Sequence, residues 1–252
     1  MDRKIFKLPF TKTSVTRYQC PTCDKGLLKI EKDTFHFKES LYSKKQHGHP
    51  EWEPEYIEFI YSGLFKCTNS TCGEFVSSTG IGRVEEDYTF DENGEPDRDY
   101  FEYFKPLYFT PHLKIFSLPK DTPKNVINEI DKSFSLLFSD PPSSANHIRI
   151  ALEHLLTHLK IKRYNRINNK LQFISLHKRI QLLPRKYDHI QDIFVAIKWL
   201  GNAGSHSNHK VSLDDVFDSY ELIEELLTEI FSNKRKKAKT LAKKINKNKG
   251  PK

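Results

Sequence analysis

The chain of 252 residues has no run of about eighteen apolar residues, so no stretch of it reads as a membrane-spanning helix. Its first residues, Met1-Asp2-Arg3-Lys4-Ile5-Phe6-Lys7-Leu8-Pro9, carry charge without an uninterrupted apolar stretch. No secretory leader is expected, and a cytoplasmic location is. A Walker loop, a G-x-S-x-G elbow, a dinucleotide fingerprint and an H-E-x-x-H helix are all missing, which removes the commonest nucleotide-hydrolysing, serine-hydrolase and zinc-peptidase chemistries. Acidic residues are also missing from the C-terminal end. From Asn233 to Lys252 there are ten Lys and Arg and no Asp or Glu, so the remaining residues hold 41 − 10 = 31 basic against 33 acidic side chains. The formal charge of +8 therefore resides in the tail, and the body is close to neutral. Cysteine is scarce too, with four in all.

Those four are Cys20, Cys23, Cys67 and Cys72, spaced C-x2-C and C-x4-C. In a cytosolic chain, paired spacing of this kind reads as a tetrahedral Zn²⁺ site rather than as disulfides, with free buried thiols as the alternative. Pro21 stiffens the first knuckle, and Gly26 and Gly73 follow the pairs where the chain turns sharply. His47 and His49 lie between the pairs as possible substitute ligands. Around the knuckles the pattern is strand-like: Leu27–Ile30, Thr34–Phe37, Tyr56–Tyr61, Leu64–Lys66 and Glu74–Val76 alternate or carry aromatic and β-branched residues. Residues 1–118 hold 21 of the 31 aromatics, which fits either a sheet core or a base-stacking surface. The acidic segment Glu85–Glu102 argues for the core. Asp91-Glu92-Asn93-Gly94 reads as a hairpin turn. Pro106, Pro111, Pro119 and Pro123 mark the connection between halves, with a boundary near Leu118.

Beyond it the period changes to helical. Thr122-Pro123 opens a first helix with Val126, Ile130, Phe134 and Leu137 inward. Ser143 or Ser144 caps a second, carrying Ile148, Ala151, Leu152, Leu155 and Leu159. Tyr164–Asn169 reads as a polar loop, about Leu171 to Leu183 as a third helix ending at Pro184, and Asp188 as the cap of a fourth. Ser212-x-x-Asp215 is a capping box for a fifth, with Val216, Tyr220, Ile223, Leu227 and Ile230 on one face. The expected class is α+β: a β-rich four-cysteine domain over 1–118, an α-helical bundle over 119–232 and a basic disordered tail over 233–252. In the tail, Lys234, Arg235, Lys236 and Lys237 are either a solvated run or a tether for phosphates.

The segment Lys198-Trp199-Leu200-Gly201-Asn202-Ala203-Gly204-Ser205-His206 is singular, because two glycines interrupt the fourth helix and a histidine stands at the break. With Asp140-Pro141-Pro142-Ser143-Ser144-Ala145, Arg149-x-x-x-Glu153-x-Leu155-Leu156 and Leu176-x-x-x-Ile180, it makes residues 119–231 resemble a bacterial domain of unknown function often attached to restriction and defence proteins. That domain is a member of the HEPN superfamily (higher eukaryotes and prokaryotes nucleotide-binding), and in these proteins it commonly follows a cysteine-knuckle, zinc-ribbon-like module. The resemblance implies a helical bundle, an antiviral defence context, RNA as partner, a homodimer, and in many members metal-independent endoribonuclease activity from an R-x4–6-H motif. His206 matches the histidine. Gly201 stands where arginine is usual, and Lys198 lies one step outside the window. The resemblance therefore leaves two outcomes: a ribonuclease served by His206, Asn202, Arg149, Glu153 and Lys198, or a non-catalytic sensor, adaptor or assembly subunit with a protein partner. Arg149 and Glu153, four apart on one helix, read either as a structural ion pair or as the supply of the missing charge.

Overall fold

The computed structural model describes residues 2–13, 16–90, 96–203, 211–232 and 234–250. The fold is mixed α+β and divides into two compact units, Met1–Lys114 and Ile115–Lys252. The boundary lies four residues before the expected Leu118.

The first unit contains helix α1 (Lys4–Lys7), strands β1 (Leu28–Ile30) and β2 (His36–Glu39), helix α2 (Leu41–Gln46), and strands β3 (Glu58–Cys67), β4 (Phe75–Phe90) and β5 (Pro96–Thr110). All strand pairs are antiparallel, in the order β1-β3-β4-β5, with β2 also pairing with β3. The alternation along Glu58–Cys67 puts Tyr61, Gly63, Phe65 and Cys67 inward. The two short strand-like segments Tyr56–Tyr61 and Leu64–Lys66 fall almost wholly within this single strand. Asp91-Glu92-Asn93-Gly94 lies outside the described residues, while the flanking strands pair up to Phe90 and Pro96.

Pro106 belongs to β5 rather than to a linker. Proline lacks a ladder donor, and the sheet accommodates it on an edge strand opposite Gly80, where the register shifts. A side chain at Gly80 would collide with the Lys105 carbonyl. The core is aromatic. Phe10 packs against Phe35, Tyr61, Phe65 and Phe104 at 5.6–6.0 Å between ring centroids, and Phe35 lies 4.9 Å from Phe104. These rings fill the sheet's interior and are not available for base stacking.

The second unit contains α3 (Lys124–Leu136), α4 (Pro141–His158), a hairpin of β6 (Tyr164–Ile167) and β7 (Lys170–Phe173), α5 (Leu176–Gln181), a 3-10 turn (Arg185–Ile190), α6 (Gln191–Ala203), α7 (Leu213–Phe231) and α8 (Lys234–Asn248). The expected inward stripes of α3, α4 and α7 are buried almost throughout, and the Ser212/Asp215 capping box forms with both reciprocal bonds.

Several expected boundaries are corrected. Pro123, not Thr122, occupies the position before α3, and it makes no side-chain cap. Asp140 caps α4, its carboxylate accepting from the Ser143 N–H at 3.1 Å, with Pro141 just inside the helix. Asp188 falls inside the 3-10 turn, so α6 begins at Gln191. The expected third helix is confined to Leu176–Gln181, because the residues before it and the loop Tyr164–Asn169 form the hairpin. Its two-residue turn places Asn168 and Asn169 at φ 47° and 58°, the left-handed region that asparagine tolerates. The tail is corrected as well. Instead of a disordered run, Lys234–Asn248 is helical, with Lys234, Arg235, Lys236 and Lys237 in its first turn. Its abundance of lysine, a good helix former, favours this.

Candidate metal centre and the Arg149–Gly201 site

The first knuckle precedes β1, and the second joins β3 to β4. The pairing of Leu28 with Cys67 brings the two knuckles together. The chain closes around them with short bonds: Cys20 N–H to Gly26 O at 2.8 Å, Cys67 N–H to Glu74 O at 2.9 Å and Cys72 N–H to Asn69 O at 2.9 Å. A Cβ on Gly26 would strike the Cys67 sulfur and come within 2.8 Å of the Asn69 nitrogen, so only glycine lets the knuckles approach this closely.

All four Sγ atoms lie within 4.8 Å of one another. Cys20 and Cys72 are 3.8 Å apart, and Cys23 and Cys67 are 3.7 Å apart. A tetrahedron with metal–sulfur bonds of about 2.3 Å has edges of about 3.8 Å. These spacings fit that figure and are far too long for disulfides. The Gly26 and Asn69 backbone N–H groups each donate to a sulfur at 3.4 Å, as amides do toward a thiolate. Such donors from Gly26 and Lys25 hold the Cys23 thiol down at about 6, while burial pushes Cys67 up to about 12. Among the described residues no other cluster of His, Cys, Asp or Glu brings three ligand atoms this close. His47 is occupied elsewhere, its Nε2 bonding Glu39 at 2.7 Å, and His49 Nδ1 accepts from the Glu51 N–H. Neither joins the cysteines.

The second site lies on the helices. Arg149 and Glu153 form the expected i,i+4 ion pair at 3.1 Å, with Arg149 also reaching Asn146 at 3.4 Å. Gly201 does not break α6: it is helical and buried, and α6 continues to Ala203. A Cβ at this position would collide with the Arg149 Cβ and sit 3.1 Å from both Arg149 Cδ and the Ala145 carbonyl. The missing side chain at position 201 is thus the space that the stem of Arg149 occupies. Arg149 Nε is buried there without a hydrogen-bond partner among the described residues.

Lys198, one turn earlier, is buried, with its ammonium 3.3 Å from the centroid of the Trp199 ring. Asn202 is half-buried in the last turn of α6. His206, with Gly204 and Ser205, lies outside the described residues. The helical site therefore assembles Arg149, Glu153 and Gly201, with Lys198 and Asn202 on the same stretch of α6.

Ser144, from the Asp140–Ala145 motif, has an architectural role. Ser144 and Ser133 exchange bonds with each other's carbonyls at 2.9 and 2.8 Å, and both reach the fully buried hydroxyl of Tyr220, at 2.9 and 3.0 Å. Burial raises the Tyr220 pKa well above its ordinary value. This network ties α3, α4 and α7 at one point. A further anchor, unforeseen from the sequence, is Arg179. It is completely buried and donates to Glu153 O, Thr157 Oγ1 and Ile161 O around the C-terminal end of α4. The negative end of the helix dipole suits that cation. The spacing of Arg179 to Ile180 and Leu176 looks ordinary, and no local signal marks it. The hairpin was legible in principle, since Asn168-Asn169 separates two short runs ending in Ile167 and Phe173.

Compared with known families, residues 8–109 match a family described as a domain of unknown function (DUF8608), and residues 131–248 match another described as a domain of unknown function (DUF4145). No curated protein matches the chain, and no solved structure does. Each unit thus has a family of its own to which it is similar.

Proposed function

We propose that this is an RNA-associated protein of HEPN type whose first unit is built around a structural Zn²⁺ and whose second unit carries an endoribonuclease-like site. The observation that carries the reading is the packing of Arg149 into the space left by Gly201. A cation is thereby supplied from α4 at the point on α6 where the superfamily's active members carry arginine. The Arg149 side chain as a whole keeps 27% of its surface exposed, so its terminal nitrogens are the ones that would reach a phosphate oxygen.

Cleavage without a metal requires a base that takes the 2′-hydroxyl proton and an acid that protonates the departing 5′-oxygen as the 2′-oxygen bonds to phosphorus. Histidine, with an ordinary pKa near 6.5, serves either role. His206 is assigned to it. Arg149, with Lys198, would stabilise the charge that builds on the phosphate, and Asn202 would orient the strand. The four cysteines would complete the Zn²⁺ coordination and leave no position open, so the metal's part is to hold the fold. The resemblance adds a defence setting and a homodimer that pairs two such sites.

His206→Ala is expected to lower cleavage of single-stranded RNA by about 10² or more, Arg149→Ala to impair it as well, and the products to end in a 2′,3′-cyclic phosphate. Wild-type dimer that leaves RNA intact would remove the catalytic part of this reading. A second reading is favoured by the Arg149–Glu153 pair itself, because the carboxylate already neutralises the guanidinium. On that reading the site binds without cleaving, and the protein is a sensor, adaptor or assembly subunit. The tail helix then serves as a sequence-indifferent phosphate tether, and deleting residues 234–252 should flatten the salt dependence of binding.

A further inference from the structure

Between His154 and Tyr187 the sequence has nine Lys and Arg and no Asp or Glu, and the middle of this stretch is the hairpin β6–β7. Every residue from Lys162 to Phe173 is exposed. The hairpin is nonetheless firmly rooted. Ile161 and Ile174 at its base are buried, the Ile174 N–H donates to Arg163 O at 2.8 Å, and buried Arg179 holds Ile161 O at 3.2 Å.

The register decides which side chains share a face. Tyr164 pairs with Phe173 and Arg166 with Leu171, so these four lie together, while Asn165, Gln172, Ile167 and Lys170 occupy the other face. The Tyr164 and Phe173 rings meet edge to face at 5.8 Å, yet remain 48% and 57% exposed. The Arg163 guanidinium lies 6.0 Å from the Tyr164 ring centroid. A two-stranded ribbon that presents aromatics to solvent buries little in its own fold and gains little stability from them. The same side chains suit a partner that offers both flat π-faces and negative charge.

We propose that this hairpin is a docking element for single-stranded RNA, with Tyr164 and Phe173 receiving unstacked bases and Arg163 and Arg166 following the phosphates. Charge complementarity selects a polyanion. The exposed rings select single strands, whose bases are free to stack, over a duplex, whose bases are already stacked. This inference rests on the RNA-associated reading above but assigns the binding to a surface distinct from Arg149 and from the tail.

The test is binding of a fluorescein-labelled single-stranded RNA to the full chain across a salt series. Because the altered side chains are exposed, the circular dichroism of each variant should match wild type. Tyr164→Ala/Phe173→Ala is expected to weaken binding by roughly tenfold or more with the salt slope unchanged, as for loss of stacked bases. Arg163→Ala/Arg166→Ala should reduce the slope by about 1.4, near 0.7 for each phosphate no longer neutralised. If wild type binds and neither set of substitutions changes affinity, the hairpin assignment falls while the RNA reading stands. If only the charge variant weakens binding, or if polyglutamate competes as well as RNA, the surface is a general anion patch and the single-strand assignment is overturned. Failure of wild-type protein to bind RNA at low salt overturns both.

Discussion

Arg179, Tyr220 and Asp215 show how single side chains hold the helical unit, and each carries a measurable consequence. Arg179→Met keeps the apolar stem but leaves Ile161 O without its donor, while Thr157 Oγ1 and Glu153 O still bond each other, and should cost about 2 kcal/mol in urea unfolding. It should also loosen the hairpin root, which faster tryptic cleavage between Lys162 and Lys170 would report. Tyr220→Phe should cost only about 1 kcal/mol, because Ser133 and Ser144 still bond each other's carbonyls. At Asp215 the Ser212 hydroxyl and N–H hold the carboxyl below its ordinary pKa. A depressed folded-state pKa contributes stability that is complete above the unfolded value and is lost as pH falls through the folded one. Acid unfolding of the Asp215→Asn variant should therefore be less steep below about pH 4, and its stability at neutral pH lower by about 1 kcal/mol.

At the scale of elements, the packing of α6 on α4 depends on Gly201. Gly201→Ala should destabilise by about 1–3 kcal/mol, because the added methyl meets the Arg149 stem and the Ala145 carbonyl. The same geometry forbids a simple restoration of the superfamily arginine. Gly201→Arg should unfold the helical unit rather than raise activity, as thermal denaturation will show. Amphipathic periodicity made α3, α4 and α7 legible, since each buries one stripe. It failed for β6, β7 and the short α5. The hairpin's apolar residues Ile167, Leu171 and Phe173 are exposed to solvent, so they mimic a helical stripe without a core behind it. Helix α8 has Leu241 and Ile245 exposed one turn apart and lysines around them, a composition that local reading equates with disorder.

For the whole molecule, the division into two units predicts two separable stabilities. Purified protein should contain one zinc per chain. Its removal by a chelator, or Cys20→Ser, should unfold Met1–Lys114 while far-UV circular dichroism retains the helical signal of Ile115–Lys252. A single cooperative loss of both signals, or zinc-free protein with an intact sheet, would contradict this. The first unit has an aromatic core of its own, so its side-chain packing gives a separate readout of metal dependence. Near-UV ellipticity from the Phe10–Phe104 cluster should disappear with the metal.

What the sequence determined by itself was whatever short-range chemistry enforces. The C-x2-C and C-x4-C spacings required two knuckles, the capping box set the start of α7, helical periodicity placed three stripes, and the charge asymmetry isolated the tail. Tertiary structure alone decided which groups meet. The antiparallel pairing of β1 with β3 brings Cys20 and Cys23 to Cys67 and Cys72 across more than forty residues of chain. The close crossing of α4 and α6 turns Gly201 from an apparent helix breaker into the seat of Arg149. Folding around the end of α4 buries Arg179, a cation whose local sequence resembles any exposed one. Spacing along the chain constrains neighbours within a turn or two; burial, register and close approach depend on what the rest of the chain places opposite.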